Sequence, residues 1–180
     1  MKQTTLRPSD VVTALEIAVS PGATLAELAL SSAKSIGETH NAIRRLAQSG
    51  LLLPDQRITA VDPVLQFIRW GVPYAFPAIL GGPAVGYPTA IIRADPRVVS
   101  SAPGVTGDAP DKAEYVWPWA EGSVGGTALT PLFPAAVRLV DRNPRLASML
   151  SHIDLVRVGS ARERDAAIDA LAQALRAATT

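Results

Sequence analysis

The chain has 180 residues, of which 17 are Lys or Arg and 16 Asp or Glu, giving a formal net charge of +1, and it contains no cysteine. That length can bury a hydrophobic core in one domain or two small ones, and two are expected here. The near balance of charge excludes a global field that would draw the protein to nucleic acid or an anionic membrane, so such binding would need a local patch; without thiols there are no disulfides or thiolate metal sites, which fits a reducing cytoplasm.

The opening MKQTTLRPSD has no apolar run behind its lysine, so it does not read as a secretory signal, and a cytoplasmic location is expected. From Ser9, an expected N-cap, Val11, Val12, Leu15, Ala18 and Val19 recur at helical spacing until Pro21-Gly22 stops the run. Thr24 caps a second short helix, LAELALSSA, with Leu25, Leu28 and Ala29 on one face. A capping box of Ser35 and Glu38 starts a third. Its Thr39, Ala42, Ile43 and Leu46 point inward at i, i+3, i+4, i+7, and Gly50 closes it. Residues 51–59 then read as a small hairpin turning at Pro54-Asp55-Gln56.

Asp62-Pro63, read as N-cap and N1, opens a helix through VLQFIRW that ends at Gly71. All nine aromatic residues, three each of Trp, Tyr and Phe, lie between Phe67 and Phe133 together with most of the prolines, so composition shifts on both sides. Residues 70–92 carry no charge and are long enough to cross a bilayer. Four prolines (Pro73, Pro77, Pro83, Pro88) and four glycines (Gly71, Gly81, Gly82, Gly86) argue against a span, since each interior proline costs a helix about 3 kcal/mol and each glycine about 1. Short edge strands and rigid turns are expected instead. Residues 104–114 read as an exposed loop, and Tyr115, Trp117 and Trp119 as a half-buried strand broken by Pro118. Two helices close the chain: Asn143-Pro144 starts RLASMLSHI, and Ser160 starts ARERDAAIDALAQALRAA with the stripe Ala167, Ile168, Leu171, Leu175.

The third helix presents Gly37, His40, Asn41, Arg44 and Arg45 on its outer face. A DNA-reading helix needs such a set: a small residue for close approach, Asn to pair with adenine, Arg for guanine or phosphate. On this reading Gly37, His40, Asn41 and Arg44 face bases, while Ser35, Arg45 and, at the hairpin, Arg57 meet phosphates. Against it stands the use of three helices and a hairpin as a docking or dimerisation module, with Arg44-Arg45 as a solvated face.

Residues 24–52, TLAELALSSAKSIGETHNAIRRLAQSGLL, resemble the helix-turn-helix of winged-helix proteins of the MarR-like type. The matching positions are Thr24, Glu27-Leu28-Ala29, Ser35, Ala42-Ile43, Leu46 and Gly50-Leu51-Leu52. Lys34 departs from the family's apolar turn residue and Ala33 from its frequent glycine. Less specifically, FIRWGVPYAFPA, GYPTA, VWPWAEG and VGSARERDAAIDAL resemble bacterial winged-helix proteins with a compact C-terminal domain, some similar to antitoxin partners of nucleotidyltransferase toxins. No functional residue is carried over from that second resemblance.

Neither His40 nor His152 belongs to an HExxH or H-x-E pattern. Gly81 to Gly86 lacks the Lys-Ser/Thr of a phosphate loop, and Gly122 to Gly126 lacks G-x-G-x-x-G spacing. No metal, cofactor or enzymatic activity is therefore expected. Asp108 and Asp111 are assigned to solvent, Arg162 to Asp165 to a salt-linked exposed face, and His152 to a packed helix.

The expected fold class is α+β: a winged helix-turn-helix over residues 1–60, followed by a small mixed α/β domain over 61–180. The expected function is a sequence-specific transcriptional regulator, repressor-like, binding double-stranded DNA as a homodimer without entering a membrane. One alternative is an antitoxin-type protein that autorepresses its operon and neutralises a partner through its C-terminal domain. Another is a repressor responding to an apolar ligand held among Trp70, Tyr74, Phe76, Trp117 and Trp119.

Overall fold

The computed structural model describes residues 5–53, 58–91 and 112–179. Helix α1 spans Pro8–Val19. It starts before Ser9: Pro8 occupies the first turn, where its missing N–H costs nothing, and the Asp10 carboxylate accepts the Arg7 N–H at 2.8 Å. Ser9 is therefore inside the helix rather than its cap. Val11, Val12, Ala14, Leu15, Ile17 and Ala18 are all buried, so α1 is apolar around most of its circumference and runs through the interior.

Helix α2 (Leu25–Ser31) begins at Thr24, whose hydroxyl accepts the Glu27 N–H while Glu27 reaches back to the Thr24 N–H. Helix α3 (Ile36–Gln48) repeats the device with Ser35 and Glu38. Both helices end in the same way. After α3, Leu51 donates to the Leu46 carbonyl and Gly50 to that of Ala47, with Gly50 at φ +72. After α2, Lys34 donates to Ala29 and Ala33 to Leu30, with Ala33 at φ +53 in the place glycine usually takes. The hairpin that follows is minimal: Leu52 bridges Thr59, Leu53 donates to Ile58 and Ala60 to Leu51. Its expected turn, Pro54 to Gln56, and Arg57 lie outside the described residues.

The next helix differs from expectation at both ends. It begins at Val61 with Ala60 as N-cap, putting Asp62 and Pro63 in the first turn, where a missing N–H is still harmless. It also passes Gly71: α4 (Val61–Gln66) leads into a π-turn (Phe67–Gly71) and then α5 (Val72–Ala75). The i+5 bond from Val72 N–H to the Phe67 carbonyl resets the ladder just before Pro73, which cannot donate.

Three strands form the sheet: β1 (Leu80–Thr89), β2 (Lys112–Pro118) and β3 (Val124–Leu129). Each pairs with the other two, β1 antiparallel to both, so the sheet closes on itself. The expected short edge strands are thus replaced by one ten-residue strand between two neighbours. Its prolines fit because β1 changes partner midway, from β3 over residues 80–86 to β2 over 86–89. Pro83 and Pro88 therefore each have one ladder beside them, and the register shifts between Leu80 and Pro83. At the change-over stands Gly86, where any Cβ would run into the Trp117 carbonyl. Of the loop expected over 104–114, residues 112–114 belong to β2 and the rest, Asp108 and Asp111 included, lies outside the described residues.

Helix α6 (Ala136–Arg142), unforeseen in the sequence, precedes α7 (Pro144–Val158) and α8 (Ala161–Thr179). Asn143 caps α7 by accepting the Leu146 N–H, and Ser160 with Glu163 boxes the start of α8. Helix α7 runs past Ile153 to Val158 because Leu155 and Val156 continue its buried surface. The α8 stripe of Ala167, Ile168, Leu171 and Leu175 is buried as expected. One hydrophobic cluster extends from Val11 through Leu46, Ile68 and Trp117 to Leu175, crossing residue 60. The fold is mixed α+β with helices dominant. No helix among the described residues is long and apolar enough to cross a membrane, and residues 70–91 supply a helix end, a connection and β1.

Candidate nucleic-acid interface

Helix α3 is fixed on its inner side and open on its outer side. Thr39, Ala42 and Leu46 are buried, and the Thr39 hydroxyl donates to the Ser35 carbonyl at 3.0 Å. At the N-terminus the Ser35 N–H and hydroxyl donate to Glu38 Oε2 at 3.1 and 2.8 Å. These bonds hold the Glu38 carboxyl below the usual carboxylate range, so it stays ionised at the positive end of the helix dipole.

The outer face carries four of the expected residues together: Gly37, His40, Asn41 and Arg44 are all exposed. Ser35 is exposed too, but its hydroxyl is engaged with Glu38, making it a cap before it is a contact. Arg45 is elsewhere. Its guanidinium turns inward onto Asp10 of α1, Nε to Oδ2 at 2.7 Å and Nη2 to Oδ1 at 2.6 Å, so the outer-face position expected of it is corrected to an internal clamp. Arg57, the sixth basic or polar contact expected, lies outside the described residues.

Two residues beside this face were not singled out as functional in the sequence. Lys34 folds its Nζ beneath α1, donating to the Ser9 carbonyl at 2.7 Å and to the Thr13 hydroxyl, with the Phe133 ring 5.7 Å away. Burial lowers its pKa to about 8, opposed by Asp10, Glu38 and Glu16 and assisted by Arg45. Asp10 ties Arg7 and Arg45 to one carboxylate.

A buried carboxylate joins this N-terminal unit to the rest. Glu16 Oε1 accepts from Ser20 at 3.1 Å and Ser31 at 2.5 Å, and its Oε2 from Asn143 at 3.0 Å, linking α1 and α2 to the start of α7. Farther away, Asp154 accepts from Thr89 at 2.9 Å, from the Trp117 indole at 2.5 Å and from Arg157 at 2.6 Å. Arg157 also donates to the carbonyls of Phe76, Pro77 and Thr130. Burial pushes the Asp154 carboxyl up while Arg157, Trp117 and Thr89 oppose it. With its oxygens taken up by three donors inside the core, Asp154 holds the sheet to α7 and has no access to a substrate.

The five aromatic residues considered around an apolar ligand divide into two environments. Trp117 is fully buried on Asp154, with Phe76 and Trp119 partly buried against the same cluster, whereas Trp70 is 65 % and Tyr74 79 % exposed. His152 is buried on α7, its Nδ1 at 2.8 Å from the Ser148 carbonyl. The Arg162–Asp165 run is salt-linked through Arg69–Asp165 at 2.5 Å. Among the described residues no three His, Asp or Glu side chains stand close enough together to hold a metal ion. Compared with protein-family models, curated proteins and solved structures, the chain matches none of them.

Proposed function

We propose that the protein is a sequence-specific DNA-binding transcriptional regulator of winged helix-turn-helix type, repressor-like and without enzymatic activity. The observation that carries this reading is the division of α3. One flank is locked by the Ser35–Glu38 box and the Arg45–Asp10 pair, while Gly37, His40, Asn41 and Arg44 stand exposed together. A rigid helix with Asn and Arg on its free face suits base reading in a major groove. The protein would bind as a two-fold dimer, its recognition helices about 34 Å apart.

The test is binding to the DNA upstream of the protein's own gene against random duplex, across a salt series. Preference for the upstream DNA supports the reading, and equal affinity for both overturns it.

The exposed Trp70 and Tyr74 favour keeping the antitoxin-type alternative, since aromatic residues of this kind concentrate at protein interfaces. Light scattering on the chain alone separates the two uses of that face. A dimer made monomeric by Trp70→Ser assigns it to self-association; a monomer leaves it to a partner protein.

A further inference from the structure

Helix α1 is pinned against one flank of α3 at two heights. Lys34, just before the α3 cap, donates to the Ser9 carbonyl at 2.7 Å, and Arg45, three turns along, grips Asp10 at 2.6 and 2.7 Å. Positions 38, 41 and 45 follow one another at i, i+3 and i+7 within α3, which places them on a single flank, and Lys34 stands just before the cap of that helix. Glu38 and Asn41 are thus its exposed members between the two pins. The first turn of α1 lies alongside them, and its N-cap residue, Arg7, is exposed. Arg7 is near enough to Glu38 to join Ser35 and Lys34 in keeping that carboxyl ionised.

We propose that Arg7 contacts a DNA phosphate, so that the interface continues from α3 onto the first turn of α1. The proposal rests on the DNA-binding reading above. A helix with its side chains is about 10–12 Å across and the major groove about 12 Å wide. A helix lying in the groove therefore has the sugar-phosphate strands immediately beside its flanks, where Arg7 stands. Of the two carboxylates beside Arg7, Asp10 is neutralised by Arg45, and Glu38 is held by the Ser35 N–H and hydroxyl at the positive end of the α3 dipole with Arg7 as the cation next to it. The Arg7 backbone N–H, rather than its side chain, caps α1 through Asp10, so replacing the side chain leaves the helix start intact.

The experiment measures affinity for upstream and random duplex DNA over a salt series with the full chain, Arg7→Ala, Arg7→Lys and, as a control for lost charge alone, Arg162→Ala. Arg7→Ala should flatten the slope of log K against log salt by about one and weaken both DNAs by the same factor. Arg7→Lys should restore the slope, and Arg162→Ala should leave it unchanged. If the unaltered chain binds DNA while Arg7→Ala keeps its slope and affinity, or if Arg162→Ala flattens the slope equally, this inference fails and the DNA reading stands. If the unaltered chain binds no duplex, both fail. Thermal melting of Arg7→Ala should match that of the unaltered chain.

Discussion

Arg45 and Asp10 meet through two parallel hydrogen bonds of 2.7 and 2.6 Å, the carboxylate fully buried and the arginine side chain only 13 % exposed. Its neighbour Arg44 projects into solvent. Two consecutive arginines therefore have separable jobs. Removing one partner of a buried pair strands the other charge, so Arg45→Ala, which leaves the fully buried carboxylate unpaired, and Asp10→Ala, which also removes the acceptor of the Arg7 N–H, should each cost on the order of 3 kcal/mol in urea unfolding. The double variant should cost less than the sum of the two. Arg44→Ala should change stability by less than about 0.5 kcal/mol, while weakening specific DNA binding by about 1–3 kcal/mol on the reading proposed here.

Lys34 makes stability depend on pH in an uncommon direction. Burial lowers its pKa from 10.5 to about 8, so between those values the unfolded chain binds the proton that the folded chain has released. Stability should therefore rise with pH from about 8 to 10.5, by something on the order of 1–3 kcal/mol, and gain nothing further from Lys34 above that. Lys34→Met should be more stable than the unaltered chain near pH 7, with the advantage shrinking above pH 8. Urea midpoints at a series of pH values measure both. A constant difference between the two proteins across this range would contradict the buried-lysine account.

Ala33 carries a left-handed φ of +53 at the turn between α2 and α3. An L-residue there costs roughly 1–2 kcal/mol, part of which glycine would return through the greater entropy of its unfolded chain. Ala33→Gly should accordingly stabilise the protein by about 0.5–1 kcal/mol, read as a rise in the urea midpoint at unchanged m-value. A loss of stability would mean that the alanine methyl makes contacts worth more than its strain.

These features differ in how far they could be read beforehand. The Thr24, Ser35, Asn143 and Ser160 caps were visible because a cap and its partner stand within three residues of each other. The α3 and α8 stripes were visible because burial follows the helical period. The Arg45–Asp10 pair joins residues 35 apart, and nothing local distinguishes Arg45 from Arg44 except which side of α3 meets α1. The prolines of β1 suggested edge strands, since the change of partner at Gly86 depends on how residues 118–124 return past it. Trp70 and Trp117 have the same composition signal and opposite environments, which the neighbouring Asp154 decides from 37 residues beyond Trp117.

Asp154 is the strongest case of such distant organisation, because its three donors come from β1, β2 and α7. Asp154→Ala would leave Arg157 buried without its carboxylate and the Trp117 N–H without an acceptor. The expected loss is on the order of 3–5 kcal/mol. Trp117→Phe removes one donor and keeps most of the apolar volume, so it should cost only about 1–3 kcal/mol. Thr89→Val should cost less, about 1 kcal/mol, since it deletes a single neutral donor to an acceptor that keeps two others. If the network acts as one unit, Trp117→Phe in the Asp154→Ala background should add little beyond its change in volume. Full additivity in a double-mutant cycle would show instead that Trp117 acts through packing alone.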